Sequence, residues 1–187
     1  MRKYISIGAV TAPSSEEIVY VSHCGYDYTL TGDLAYMWLS GRYGFDTARN
    51  TLEEQALEQL RKMGLVALCE NTMEGEYRTL TRISVVPTEG EKPYVGLNSK
   101  ERTILKWIRE TGLVLSMAEL VYLTEYNVEP EPQYLGQENV QTLVERIYTR
   151  NTIFDNTLEN LMEHSKCRDQ VVKLVLKLLR RRRVVLL

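Results

Sequence analysis

Long hydrophobic runs are missing from this 187-residue chain; its most apolar stretches, such as Val184 to Leu187, fall far short of the roughly 18 to 20 residues that cross a bilayer. No membrane contact is expected. The N-terminal segment Met1 to Gly8 starts basic but meets Pro13, Ser14, Ser15 and Glu16 before an apolar core of signal-peptide length develops. Cysteine is scarce: Cys24, Cys69 and Cys167 form an odd, scattered set with no C-x-x-C pair, which excludes a disulfide framework and fits a reducing compartment. The expected location is therefore the cytoplasm. An excess of positive charge is lacking too. A formal net charge of −2 excludes a protein that grips nucleic acid with its whole surface, so any DNA contact must be local. None of the patterns G-x-x-x-x-G-K-S/T, G-x-G-x-x-G, H-E-x-x-H or G-x-S-x-G occurs, and no enzyme or cofactor is expected. Each of the two histidines neighbours a cysteine (His23 beside Cys24, His164 three before Cys167), but adjacent His-Cys is a poor chelating pair, and no metal site is expected.

What the chain does have is periodicity. Tyr4 to Val10 and Ile18 to Ser22 are rich in β-branched and aromatic residues and flank the turn-like Ala12-Pro13-Ser14-Ser15, which predicts a hairpin, with Tyr26 to Leu30 as a third strand. Helical spacing begins at Thr31, with Leu34, Met37 and Trp38 on one face and Gly41 and Gly44 as the stop. Thr51 and Glu54 have capping-box spacing before Leu52, Ala56, Leu60 and Met63. Gly64 then reads as a left-handed C-cap and Leu65 to Leu68 as a strand. Across the polar turn Asn71 to Glu76 the chain is expected to return as a strand over Tyr77 to Val86, forming a wing. On the second helix Glu54, Gln55, Glu58, Arg61 and Lys62 make a face of mixed sign, with Glu58 and Lys62 at i to i+4.

Pro87-Thr88-Glu89-Gly90-Glu91-Lys92-Pro93 carries two prolines, a glycine and alternating charge without an apolar period, and marks a boundary. It separates a module over 1–88, with a leading hairpin, from a second over 97–187. Asn98 with Glu101 and Ser116 with Glu119 repeat the capping box, each before a helix, with Leu113-Val114-Leu115 as a short strand between. Residues 138–164 read as an inserted pair of helices, a candidate surface for pairing two copies. On the final helix, at about 100° per residue, Lys166, Gln170, Lys173, Lys177, Arg180 and Arg181 line one stripe. Val171, Leu174, Val175, Leu178 and Leu179 fill the opposite side. Extending that helix would push Arg182 into the apolar side at a desolvation cost, so it should stop near Arg181 and hand over to a strand.

Leu60-Arg61-Lys62-Met63-Gly64-Leu65-Val66-Ala67-Leu68 and Leu179-Arg180-Arg181-Arg182-Arg183-Val184-Val185-Leu186-Leu187 share one plan: apolar helix end, basic pair, break, apolar strand. This order resembles winged helix-turn-helix proteins, and the resemblance implies an α+β fold of two winged-helix-like modules, largely helical, with the last helix of the second in a DNA major groove. Strands followed by Tyr28-Thr29-Leu30-Thr31-Gly32-Asp33-Leu34-Ala35-Tyr36-Met37-Trp38 and then Leu57 to Val66 also resemble the peptide-recognition domains of the PqqD type, which capture a peptide by adding it as a strand to a sheet edge. Two functions are thus expected, neither enzymatic. One is a transcriptional regulator holding double-stranded DNA through Lys166, Arg168, Lys173, Lys177, Arg180 and Arg181, with Arg78 and Arg82 on the wing. The alternative is a protein- or peptide-binding adaptor using the N-terminal sheet edge and the tyrosines Tyr4, Tyr20, Tyr26 and Tyr28, chosen because tyrosine combines large contact area with a polar tip.

Overall fold

The computed structural model describes residues 2–13, 15, 17–150, 152 and 156–187. The protein is α+β, with eight α-helices and three small antiparallel sheets among these residues. Among the described residues no helix is long and apolar enough to cross a membrane. The chain divides into two compact units, residues 1–79 with 185–187, and residues 80–184.

In the first unit the N-terminal strand is central. Strand β1 (Lys3–Ser6) and β2 (Ala9–Val10) precede β3 (Ile18–His23), β4 (Tyr26–Thr31), α1 (Gly32–Ser40), β5 (Asp46–Thr47), α2 (Thr51–Lys62), β6 (Val66–Cys69) and α3 (Met73–Leu80), whose last residue falls in the second unit. The sheet orders are β5-β1-β6 and β2-β3-β4. Tyr4 to Val10 is therefore not one strand: β1 joins β5 and β6, whereas β2 pairs with β3. The break falls at Gly8, whose φ of +110° only glycine adopts freely and where a Cβ would lie 2.7 Å from Val21 Cγ1. Of the turn expected at residues 12–15, Ser14 lies outside the described residues.

Tyr4, Val19, Val21, Leu30, Met37, Trp38, Leu57, Leu60 and Leu65 make the core of this unit, each 1% exposed or less. Burying a large apolar side chain contributes about 1.5–3 kcal/mol, so this cluster dominates the unit's stability. Its polar atoms are paired. Tyr4 Oη donates to Met37 O (2.8 Å), Ser6 Oγ to Trp38 O (2.7 Å) and Trp38 Nε1 to Ile7 O (3.1 Å), fastening the end of α1 to β1. Helix α2 is capped one residue earlier than expected: Asn50 Oδ1 accepts from Glu53 N at 3.0 Å, taking the role assigned to Thr51. Glu58 bonds Arg61 (3.0 and 2.7 Å) rather than Lys62, and this contact draws its carboxyl down to about 2.

The wing is absent. Residues 73–80 form α3, started by Thr72, whose Oγ1 accepts from Gly75 N (3.0 Å) and whose carbonyl accepts from Glu76 N (3.1 Å). Tyr77 and Leu80, three apart, are buried, a helical and not a strand period.

The second unit also places its earliest strand in the middle. Strand β7 (Ser84–Pro87) lies between β8 (Leu115–Ser116) and β9 (Val184–Leu186), of which Val184 belongs to this unit. Helices α4 (Ser99–Glu110), α5 (Met117–Glu125), α6 (Val140–Ile147), α7 (Thr157–His164) and α8 (Arg168–Arg180) complete it. The expected capping boxes close α4 at Asn98 and Glu101, and α5 at Ser116 and Glu119. Helix α8 stops at the expected place and faces the core through Val171, Val175, Leu178 and Leu179, each 1% exposed or less. Its end matches that of α2 bond for bond. Arg183 N reaches Leu178 O as Leu65 N reaches Leu60 O, both at 2.9 Å, and the left-handed residue is Arg182 (φ +56°) in one and Gly64 (φ +75°) in the other.

Candidate binding surfaces

The hairpin of β3 and β4 is built on alternation. Val19, Val21 and Leu30 point to the core and are wholly buried, while Ile18 and Tyr20 face outward beside Thr31 and Thr29. Cys24 and Gly25, with φ of +50° and +81°, make the two-residue turn, as hairpins with tight right-handed twist require. Strand β4 has β3 on one side and no strand on the other among the described residues. Along this six-residue strand the backbone N–H and C=O groups of alternate residues thus form an unpaired edge, a template on which another extended chain can pair. Tyr26, 68% exposed, stands at one end of this edge and Tyr28, half-buried, two residues further along. Tyr20 is exposed on the outer face of β3. Tyr4 does not belong to this group. It lies on the central strand with no exposed surface, its hydroxyl spent on Met37 O and its phenol pushed up by burial, so it serves the core and meets no partner.

The basic segment of the second unit is less open than its composition suggests. From Lys166 to Arg183 eight cations face a single acid, Asp169. Glu101, 1% exposed on α4, reaches them: Oε1 holds Lys177 Nζ, and Oε2 accepts from Arg181 Nη1 (3.0 Å) and from Asn98 N (3.1 Å). The Lys177 ammonium, the Asn98 amide and Arg181 keep this carboxyl below the usual carboxylate range against the opposing effect of burial. Arg181 also donates to Gly96 O at 3.0 Å. Arg168 is turned inward, its guanidinium on Asp169 (3.1 Å) and on the carbonyls of Met162 (3.0 Å) and Glu163 (2.6 Å), where it closes the end of α7. Lys166, Lys173 and Arg180 remain exposed, and Lys173 and Arg180, seven residues apart, share one face of α8.

Neither wing arginine sits on a strand. Arg78 is exposed on α3, and Arg82, in the turn after it, is paired with Glu159 at 2.5 Å. Among the described residues no group of three or more His, Cys, Asp or Glu is gathered as a metal site.

Glu101 is the residue that sequence reasoning passed over as a mere capping glutamate. Its spacing to Ile104, Leu105 and Ile108 places it on the buried face of α4, the signal that it needed a cationic partner. Comparison of the chain with family models, with curated proteins and with solved structures returns no match.

Proposed function

We propose that this protein is a non-catalytic adaptor whose two units are versions of one helix-and-strand module, the first of which captures an extended segment of a partner protein along β4. The open six-residue edge of β4 carries this reading. The modular reading is supported by the sheet orders β5-β1-β6 and β8-β7-β9, in each of which the earliest strand is central. It is supported further by the identical bonding at the ends of α2 and α8.

Along an edge strand, alternate residues direct their N–H groups outward, so proline at one of two neighbouring positions leaves the β3 pairing intact and removes an outward donor. The experiment selects random twelve-residue peptides displayed on phage against the folded protein. Selected peptides are expected to bind the wild type and to lose at least about tenfold in affinity on whichever of Tyr28→Pro and Thr29→Pro retains the wild-type circular dichroism, one to two strand hydrogen bonds being worth about 1.4 kcal/mol. Undiminished binding to the folded proline variant rejects the reading.

A second reading, local DNA binding through α8, is favoured by the exposure of Lys166, Lys173 and Arg180. In a gel shift on random duplex, Lys173→Ala/Arg180→Ala is expected to flatten the log-log salt dependence by about two units, one for each lost phosphate contact. An unchanged slope removes this reading.

A further inference from the structure

The stretch from Tyr4 to Gly41 contains neither lysine nor arginine, yet it supplies all three strands of the β2-β3-β4 sheet and the helix that follows it. Its described acids, Glu17, Asp27 and Asp33, are all exposed. None of the three has an ion pair among the described residues. Asp27 lies on β4 itself, opposite Ser22, and Asp33 in the first turn of α1, two residues past the end of β4. The open edge is thus flanked at both ends by uncompensated carboxylates.

We propose that the segment captured by β4 is cationic, an extended stretch of a partner protein in which Lys or Arg alternates with apolar residues. This rests on the adaptor reading of the β4 edge. Alternation follows from the strand repeat of two. A chain paired to β4 sets one row of side chains on the outer face beside Asp27 and Thr29, and the other row on the opposite face, beside Tyr26 and Tyr28. Cations belong in the first row and apolar groups against the tyrosine rings in the second. The same carboxylates argue against a second copy of this chain as occupant, because two such edges brought together would face each other with like charge.

Fluorescein-labelled ten-residue peptides alternating Val with Lys, Val with Gln and Val with Glu, titrated by fluorescence anisotropy at two salt concentrations, test this. The Lys peptide is expected to bind best and to weaken as salt rises, and the Glu peptide to show no binding. Asp27→Asn/Asp33→Asn, two exposed substitutions, is expected to weaken the Lys peptide by about three- to tenfold and leave the Gln peptide unchanged. Equal or tighter binding of the Gln peptide, or indifference of the Lys peptide to the Asn substitutions, overturns the cationic partner while leaving the edge intact. Binding of the Lys peptide that survives in the folded proline variant of β4 overturns the edge itself.

Discussion

Replacing Gly41 by alanine is expected to lower the stability of the first unit by about 2–3 kcal/mol, a fall of roughly 10 °C in Tm. The backbone there is ordinary, φ −84°, so the cost is one of space. A Cβ would stand 2.5 Å from Tyr4 Cε2 and 2.6 Å from Ser6 Oγ. Neither neighbour can retreat without cost: the Tyr4 ring has no exposed surface, and both hydroxyls are bonded to carbonyls of α1. Breaking one such bond leaves a buried polar group unpaired at about 1–3 kcal/mol. Gly90→Ala, where nothing lies within 4 Å, serves as the control. Thermal denaturation of both variants, with Gly41→Ala melting like Gly90→Ala, would show the packing of α1 on β1 to be wrong.

Glu101→Gln should cost about 2 kcal/mol at neutral pH and remove part of the protein's acid sensitivity. With its oxygen kept on Arg181 and Asn98 N, the amide turns an NH2 donor toward the Lys177 ammonium, which is itself a donor, so at least one charge-assisted bond is lost, each worth about 1.5–3 kcal/mol. The folded protein holds the Glu101 carboxyl below its usual value of 4.5, so protons bind the unfolded chain more tightly. The stability it contributes is complete above that value and is lost as pH falls through the lower folded one. Glu125, held down by the Ser165 hydroxyl and by Cys167, acts in the same direction. Denaturant unfolding between pH 7 and pH 3 should show the variant below the wild type at neutrality and the two curves converging in acid. Parallel curves would mean that Glu101 is not ionised in the folded state.

The sequence made local chemistry legible and tertiary partnership much less so. The capping boxes of α4 and α5 involve residues three apart, and the stop of α8 follows from where Arg182 would have pointed, so neither needs knowledge of the fold. Of the strand expected over residues 77–86 only Ser84 to Val86 forms one; residues 77–83 misled because Tyr77, Thr79, Thr81 and Ile83 favour strands, while the decisive feature, Thr72 capping α3, sits before them. Tyr4 looked like a surface strand residue because nothing local distinguishes a central strand from an edge one. On α8 the basic stripe was plain, but its neutralising partner comes from Glu101, seventy-six positions before Lys177, and only helix packing joins them.

Placing the earliest strand in the middle of the β5-β1-β6 sheet also sets an order of events. Tyr4 pairs with Leu68, sixty-four positions later, and must wait for that ring of chain to close, whereas β3 and β4 are joined by a two-residue turn and can zip at once. The hairpin that bears the open edge is therefore the natural seed of the first unit, and the strand at its centre is among the last pieces to arrive. Until then, β5 and β6 stand apart with their middle place vacant, which makes this unit slow to mature and most exposed to wrong pairings early in its life.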